Sequence, residues 1–232
     1  MRHKPTFFLC LALTLLNSCH DSVEPENETI SGYENNHAYV DLDLPSGLCW
    51  ALCNVGAENN LQCGNYYAWA ETRPKTNYNW QSYKYGLSNE LTKYCTILSH
   101  SKNDFIDTLT ILELSDDVAH TTWGGRWRMP SFDEWEELRT HCTWTWVEHF
   151  QNSTLNGYEI LGTNGNSIFL PAAGCYFDSV LFYLGEYGGY WSNTLVESAP
   201  ECAIGIQFGK SSINRRSGSR CVGPSARAVF KK

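Results

Sequence analysis

Basic residues are scarce in this chain: 17 Lys and Arg stand against 25 Asp and Glu, a formal net charge of −8. Phosphate contacts need clustered cations, so nucleic acid is not an expected partner. Long apolar runs are missing too. Residues 6–16 form a run of about eleven, whereas a helix needs roughly twenty to cross a bilayer, and no later stretch is longer. No two cysteines are spaced Cys-x2-Cys, so a common zinc signature is absent and no metal ligands are assigned. No Gly-x-Ser-x-Gly elbow, His-Glu-x-x-His helix or phosphate loop occurs. His100, His120, His141 and His149 are scattered. No catalytic residue is assigned, and no cofactor is expected.

An export pattern is present at the start. Arg2, His3 and Lys4 precede the apolar run, and Leu16-Asn17-Ser18-Cys19 follows it. The four residues resemble a lipobox, in which the cysteine thiol receives a diacylglycerol and becomes the new N-terminus. Residues 1–18 are therefore expected to be a lipoprotein signal peptide, with Cys19 lipidated and the membrane a partner through that anchor. An ordinary cleaved signal, with Cys19 incidental, is the alternative. Residues 19–36 are acidic and poor in large apolar groups, which suits a flexible tether. An acidic run after a lipidated cysteine resembles signals for the outer membrane's outer face, so that location, at the cell surface, is expected. Residues 37–232 are long enough to form one domain with a proper core.

Leaving out Cys10 and Cys19, eight cysteines remain, an even set that suits disulfides in an exported chain. Spacing alone leaves their connectivity open. Leu48, Trp50 and Leu52 alternate after the turn Pro45-Ser46-Gly47, which predicts a hairpin with the strand around Tyr39, Val40 and Leu42. Residues 66–70 read as another short strand, and 71–87 as a long surface loop. Residues 104–114 show mixed spacing and take no assignment. Ser131 and Glu134 form a capping box ahead of the stripe Phe132, Trp135, Leu138 and Cys142, which predicts an amphipathic helix. Thr143 to Val147 alternates, Asn164-Gly165 marks a hairpin, and Ile204, Ile206 and Phe208 alternate before a last strand at 225–230. Short antiparallel strands, one or two helices and long loops make an α+β domain.

Several blocks also resemble the Fibrobacter succinogenes major paralogous domain family. They are Leu44-Pro45-Ser46-Gly47-Leu48 with Trp50-Ala51 and Cys53-Asn54-Val55-Gly56, then Tyr67-Ala68-Trp69-Ala70-Glu71-Thr72. Trp123-Gly124-Gly125, Trp127-Arg128-Met129-Pro130, Asn166-Ser167-Ile168-Phe169-Leu170-Pro171-Ala172-Ala173-Gly174 and Gly189-Tyr190-Trp191-Ser192 follow in order. The resemblance implies a C-type-lectin-like fold. Trp50, Trp69, Trp127, Trp135 and Trp191 are assigned to the core, because tryptophan supplies large apolar area. The resemblance also suggests a disulfide between Cys53 and Cys142, both in matching blocks. Calcium-binding lectins of the wider fold use a Trp-Asn-Asp block, but here Trp191-Ser192-Asn193-Thr194 lacks the aspartate.

Other relatives in this fold carry a hypervariable ligand-binding patch on the segment before the last strand. Here that segment, residues 210–220, is the most basic part of an acidic chain. Asn214, Arg215, Arg216 and Arg220 are the candidate ligand-binding residues, because Arg grips acidic groups with a planar fork; a solvated loop with salt bridges is the alternative. The expected function is a non-enzymatic surface binding or adhesion module whose partner is an extracellular glycan or protein. A structural subunit or tip component of a surface assembly is the second reading. An enzyme of the formylglycine-generating type is the third.

Overall fold

The turn at Pro45-Ser46-Gly47 joins β2 (His37–Asp41) to β3 (Leu48–Asn54) as an antiparallel pair, with Val40 opposite Trp50. In this computed structural model, which describes residues 30–232, a short strand β1 (Gly32–Glu34) adds to β2. The predicted tether therefore ends too late. Glu34 accepts from Arg126 and its carbonyl from the Trp127 indole, and these contacts fasten residues 32–36 to the domain. The signal and Cys19 lie outside the described residues.

Strand β3 is buried on both faces because alternate residues serve two cores. Cys49 and Ala51 face a cluster containing Trp69, Trp127 and Trp191. Leu48, Trp50 and Leu52 face a second one with Trp135, Tyr190 and Phe208. All five predicted core tryptophans are at most 1% exposed. Each buries about 150–250 Å² of largely apolar surface, the largest single contribution a side chain can make.

Helix α1 (Val118–Trp123) was not foreseen. Its six residues are too few to show a period, and it is held by the Asp117 cap on the Ala119 and His120 amides. Helix α2 (Phe132–His141) begins as predicted: Ser131 Oγ accepts from the Glu134 amide at 3.2 Å, and Glu134 Oε2 accepts from the Ser131 amide at 2.8 Å. Trp135 and Leu138 are buried on its stripe, with Phe132 and Cys142 half-buried at its ends.

Strands β4 (Thr143–Val147), β5 (Gly157–Leu161) and β6 (Ser167–Pro171) form an antiparallel sheet, with Asn164-Gly165 in the β5–β6 turn. A two-stranded hairpin, β7 (Cys175–Phe177) and β8 (Val180–Phe182), follows. Strands β9 (Tyr187–Leu195), β10 (Cys202–Gly209) and β11 (Ser212–Ser219) form a third sheet in the order β11-β10-β9. Finally β12 (Arg227–Lys231) pairs with β3, giving the first sheet the order β1-β2-β3-β12. Antiparallel strands and two helices make the described chain α+β.

Two local expectations change. Residues 66–70 form no strand; only Tyr66 bridges, to Ser225. The segment 71–87 lacks regular structure except for a 3-10 turn at Trp80–Ser82, yet it is pinned by buried Tyr78, Tyr83 and Tyr85.

Candidate ligand-binding groove

Strand β11 is the outer strand of its sheet, and its side chains alternate between two environments. Ile213, Arg215 and Ser217 stand opposite Phe208, Ile206 and Ile204. Asn214, Arg216 and Gly218 project to the other face. The segment expected to be a ligand-presenting loop is thus a paired strand, and the pairing separates the candidate residues.

Arg215 remains at the surface. Its guanidinium lies 5.3 Å from the Phe132 ring centroid, and among the described residues it forms no ion pair. Beside it runs a shallow groove of about 610 Å³, lined by Thr96, Ile97, Leu195, Val196, Glu197, Ser198, Ile204 and Arg215. Local bonds hold its walls. Thr96 Oγ1 donates to the Glu197 carbonyl at 2.6 Å, the Leu195 amide to the Thr110 carbonyl at 2.8 Å, and the Val196 amide to the Cys202 carbonyl at 3.1 Å. A register shift between Ala203 and Gly205 in the β9–β10 pairing lies beside it, the kind of irregularity that re-aims side chains. Walls that are part apolar (Ile97, Leu195, Val196, Ile204) and part polar (Thr96, Ser198), with one cation and one carboxylate, can take a ligand that combines an apolar part with a polar or acidic group.

Arg216 and Arg220 correct the sequence reading: neither lies on a binding surface. Arg216 is buried over the Trp191 ring at 5.2 Å, with Nη1 and Nη2 each 3.7 Å from Cys175 Sγ. Arg220 is fully buried. Its Nε donates to Tyr83 Oη at 2.8 Å, Nη1 to the carbonyls of Tyr94 and Pro200, and Nη2 to that of Lys93. With four of its five donors engaged inside the protein and the whole side chain buried, this guanidinium does not face a ligand. Asn214 is exposed, but it projects away from the groove. Arg227, which sequence reasoning did not single out, is buried in the same way on Asn54 Oδ1 and the carbonyls of Ala51, Leu52 and Phe169.

The expected Cys53–Cys142 disulfide is not formed. Cys53 shares the parity of Cys49 and Ala51 on β3, whereas Cys142 packs against the second core, across that strand. The Cys53 thiol instead meets the Ala57 carbonyl at 3.5 Å. Burial pushes the Cys49 and Cys142 thiols up to about 11 and raises those of Cys63, Cys95, Cys175, Cys202 and Cys221. Such thiols are poor nucleophiles at neutral pH. His141, next to Cys142, directs Nδ1 toward the Glu137 carbonyl. Among the described residues no three His, Cys, Asp or Glu side chains converge on a metal position. In the Trp191-Ser192-Asn193-Thr194 stretch, Ser192 Oγ donates to the Ile204 carbonyl and Asn193 Oδ1 accepts from Thr194.

No family model, no curated protein and no solved structure matches this chain.

Proposed function

We propose that this chain is a lipid-anchored, non-enzymatic binding module of the outer-membrane surface, built on a C-type-lectin-like fold, and that its ligand is a glycan or protein engaged at the groove beside Arg215. One observation carries the reading: an exposed guanidinium with no carboxylate partner flanks a groove of mixed polar and apolar lining. A fork of free donors beside walls that are part apolar and part polar suits an acidic group on a body of mixed character. Support for the fold comes from where the family-like blocks lie, since Trp50, Trp69, Trp127 and Trp191 of those blocks build both cores. Buried thiols with raised pKa values weigh against the formylglycine-generating alternative.

The test is a screen of the purified chain on glycan and extracellular-protein arrays, followed by Arg215→Ala. Loss of at least tenfold in affinity with Arg215→Ala is the expected result. Ligand binding that survives Arg215→Ala unchanged overturns the groove as the site.

The open edge of β11, eight residues long, favours the second reading, a subunit of a surface assembly. Exposed edges accept strands from other chains. Stoichiometric partners co-purified from membranes, and lost when Arg215→Pro blocks the edge, would support it.

A further inference from the structure

Among the described residues β11 pairs only with β10, over eight residues in unbroken register. Which of its backbone groups face the open edge follows from the sheet behind it. The Ser225 amide donates to the Gly189 carbonyl at 3.0 Å, and the Trp191 amide to the Ser225 carbonyl at 3.2 Å. Gly189 and Trp191 thus turn away from β10, and Tyr190 between them turns toward Ile206. Gly205 and Gln207 are left to bond Arg216 and Asn214 of β11. Arg215, between those two, directs its N–H and C=O to the open edge, and Ile213 and Ser217 do so at the same period. No other backbone group among the described residues meets these three.

Edges of this length are ordinarily blunted by proline, a bulge or lysine. Residues 212–219 contain none of these. On the face of the groove the edge displays Ile213, Arg215 and Ser217, and the exposed Arg215 guanidinium is the charge among them. Outward N–H and C=O pairs recur about 6.8 Å apart along such an edge, which is the repeat of an extended peptide and not of a sugar ring. A second copy of β11 holds no acidic residue to set against Arg215.

We propose that the ligand of the groove is an extended peptide of another protein, added to β11 as a further strand. It carries a carboxylate side chain opposite Arg215 and an apolar side chain two positions away, opposite Ile213. The proposal rests on the groove reading above, because Arg215 serves both, and it makes the backbone of β11 part of the same site. Main-chain bonds then supply affinity, and the Arg215 fork selects the acidic residue.

The test is fluorescence anisotropy of a labelled Thr-Val-Thr-Glu-Thr-Val-Thr peptide against the purified full chain. Saturable binding is expected, weakened at least tenfold by Arg215→Ala or by Gln in place of the peptide's Glu. N-methylation of the Val and Glu amides, which would face β11, is expected to abolish binding, and N-methylation of the two inner Thr amides to preserve it. Ser217→Pro removes an edge amide and keeps the guanidinium; it is expected to weaken binding at least tenfold with the circular dichroism spectrum unchanged. The methylated peptides read the same edge without altering the chain. Binding that responds to Arg215→Ala, but to neither Ser217→Pro nor methylation, overturns strand addition and leaves the groove reading standing. A peptide that does not bind, or binds equally well with Gln, overturns the proposal. So does a native dimer that Ser217→Pro disperses, which would give the edge to a second copy.

Discussion

Arg220 Nε donates to the Tyr83 hydroxyl at 2.8 Å across 137 residues of chain. The same guanidinium lies over the rings of Trp69, Tyr83 and Tyr94. The Tyr94 hydroxyl donates in turn to Asp116 Oδ2 at 3.0 Å, and Asp116 also accepts from Tyr85, Lys84 and Lys93. One buried network thus ties the irregular segment around residues 71–94 to the approach to α1 and to the end of β11. The network gives a long loop a defined place without regular secondary structure.

Stability and binding are expected to separate between two of the candidate arginines. Arg220→Ala strands one hydroxyl and three carbonyls and leaves a cavity, so it is expected to cost about 3–5 kcal/mol. Arg215→Ala, at the surface, stays within about 0.5 kcal/mol. Urea unfolding of both variants checks the ranking, and equal costs would remove the distinction between a buried and a displayed guanidinium.

Asp116 makes stability depend on acid. Burial alone would raise its pKa, but hydrogen bonds from Lys93, Tyr85, Lys84 and Tyr94 prevail and hold it down to about 2. A carboxylate with a depressed folded pKa stabilises above its unfolded value and loses that contribution as pH falls through the folded one. The native chain is expected to exceed Asp116→Asn by about 2 kcal/mol at pH 7. The gap should stay constant down to about pH 5 and narrow between about 4 and 2. Chemical denaturation across that range reads it directly; a gap that widens toward low pH would reverse the sign.

The start of α2 is a coupled device. Glu134 accepts from the Ser131 amide and also grips Arg128, whose Nη1 and Nη2 reach its carboxylate at 2.7 and 2.5 Å. Ser131→Ala is expected to cost about 1 kcal/mol and Glu134→Ala more, because it releases Arg128 as well. The double variant should cost less than the sum of the two, since each substitution breaks the same box. A double-mutant cycle by thermal or urea unfolding measures the coupling.

Close backbone approach between β9 and β10 forbids a side chain at Gly205. A Cβ there would lie 2.1 Å from the Tyr190 carbonyl oxygen, whereas at Gly209 the nearest atom is 3.5 Å away. Gly205→Ala is expected to destabilise by about 2 kcal/mol or more, and Gly209→Ala to be neutral within about 0.5 kcal/mol. Melting temperatures of the pair suffice as a check.

Anchoring is checked on Cys19. Mass spectrometry of the native protein is expected to find a chain starting at residue 19 with acyl groups on that residue. Cys19→Ala should appear in the soluble fraction. An unmodified N-terminus would remove the lipid anchor.

Where structure is local, it was legible in the residues. Hairpin turns at Pro45-Ser46-Gly47 and Asn164-Gly165 and the Ser131/Glu134 box depend on neighbours a few positions apart. The apolar alternation of Ile204, Ile206 and Phe208 marked β10 for the same reason. Helix α1 escaped because six residues carry too little pattern, and β1 because its polar residues are ordered by Arg126 and Trp127 from far along the chain. At the candidate site, Arg215 was legible as a displayed cation, but the groove beside it joins residues 96–97, 195–198 and 215, which no spacing connects.

By itself the sequence determined the α+β class, the main turns, the α2 cap and the five tryptophans of the core, because propensity, period and apolar area act over short stretches or on single side chains. Only the tertiary structure decided which arginines face water. Arg216 and Arg220 lie one and five residues after Arg215 and look equivalent in the sequence. Strand parity sends the first inward onto Trp191, and carbonyls at Lys93, Tyr94 and Pro200 capture the second. Burial of a charge is set by the donors and acceptors that folding brings from elsewhere in the chain.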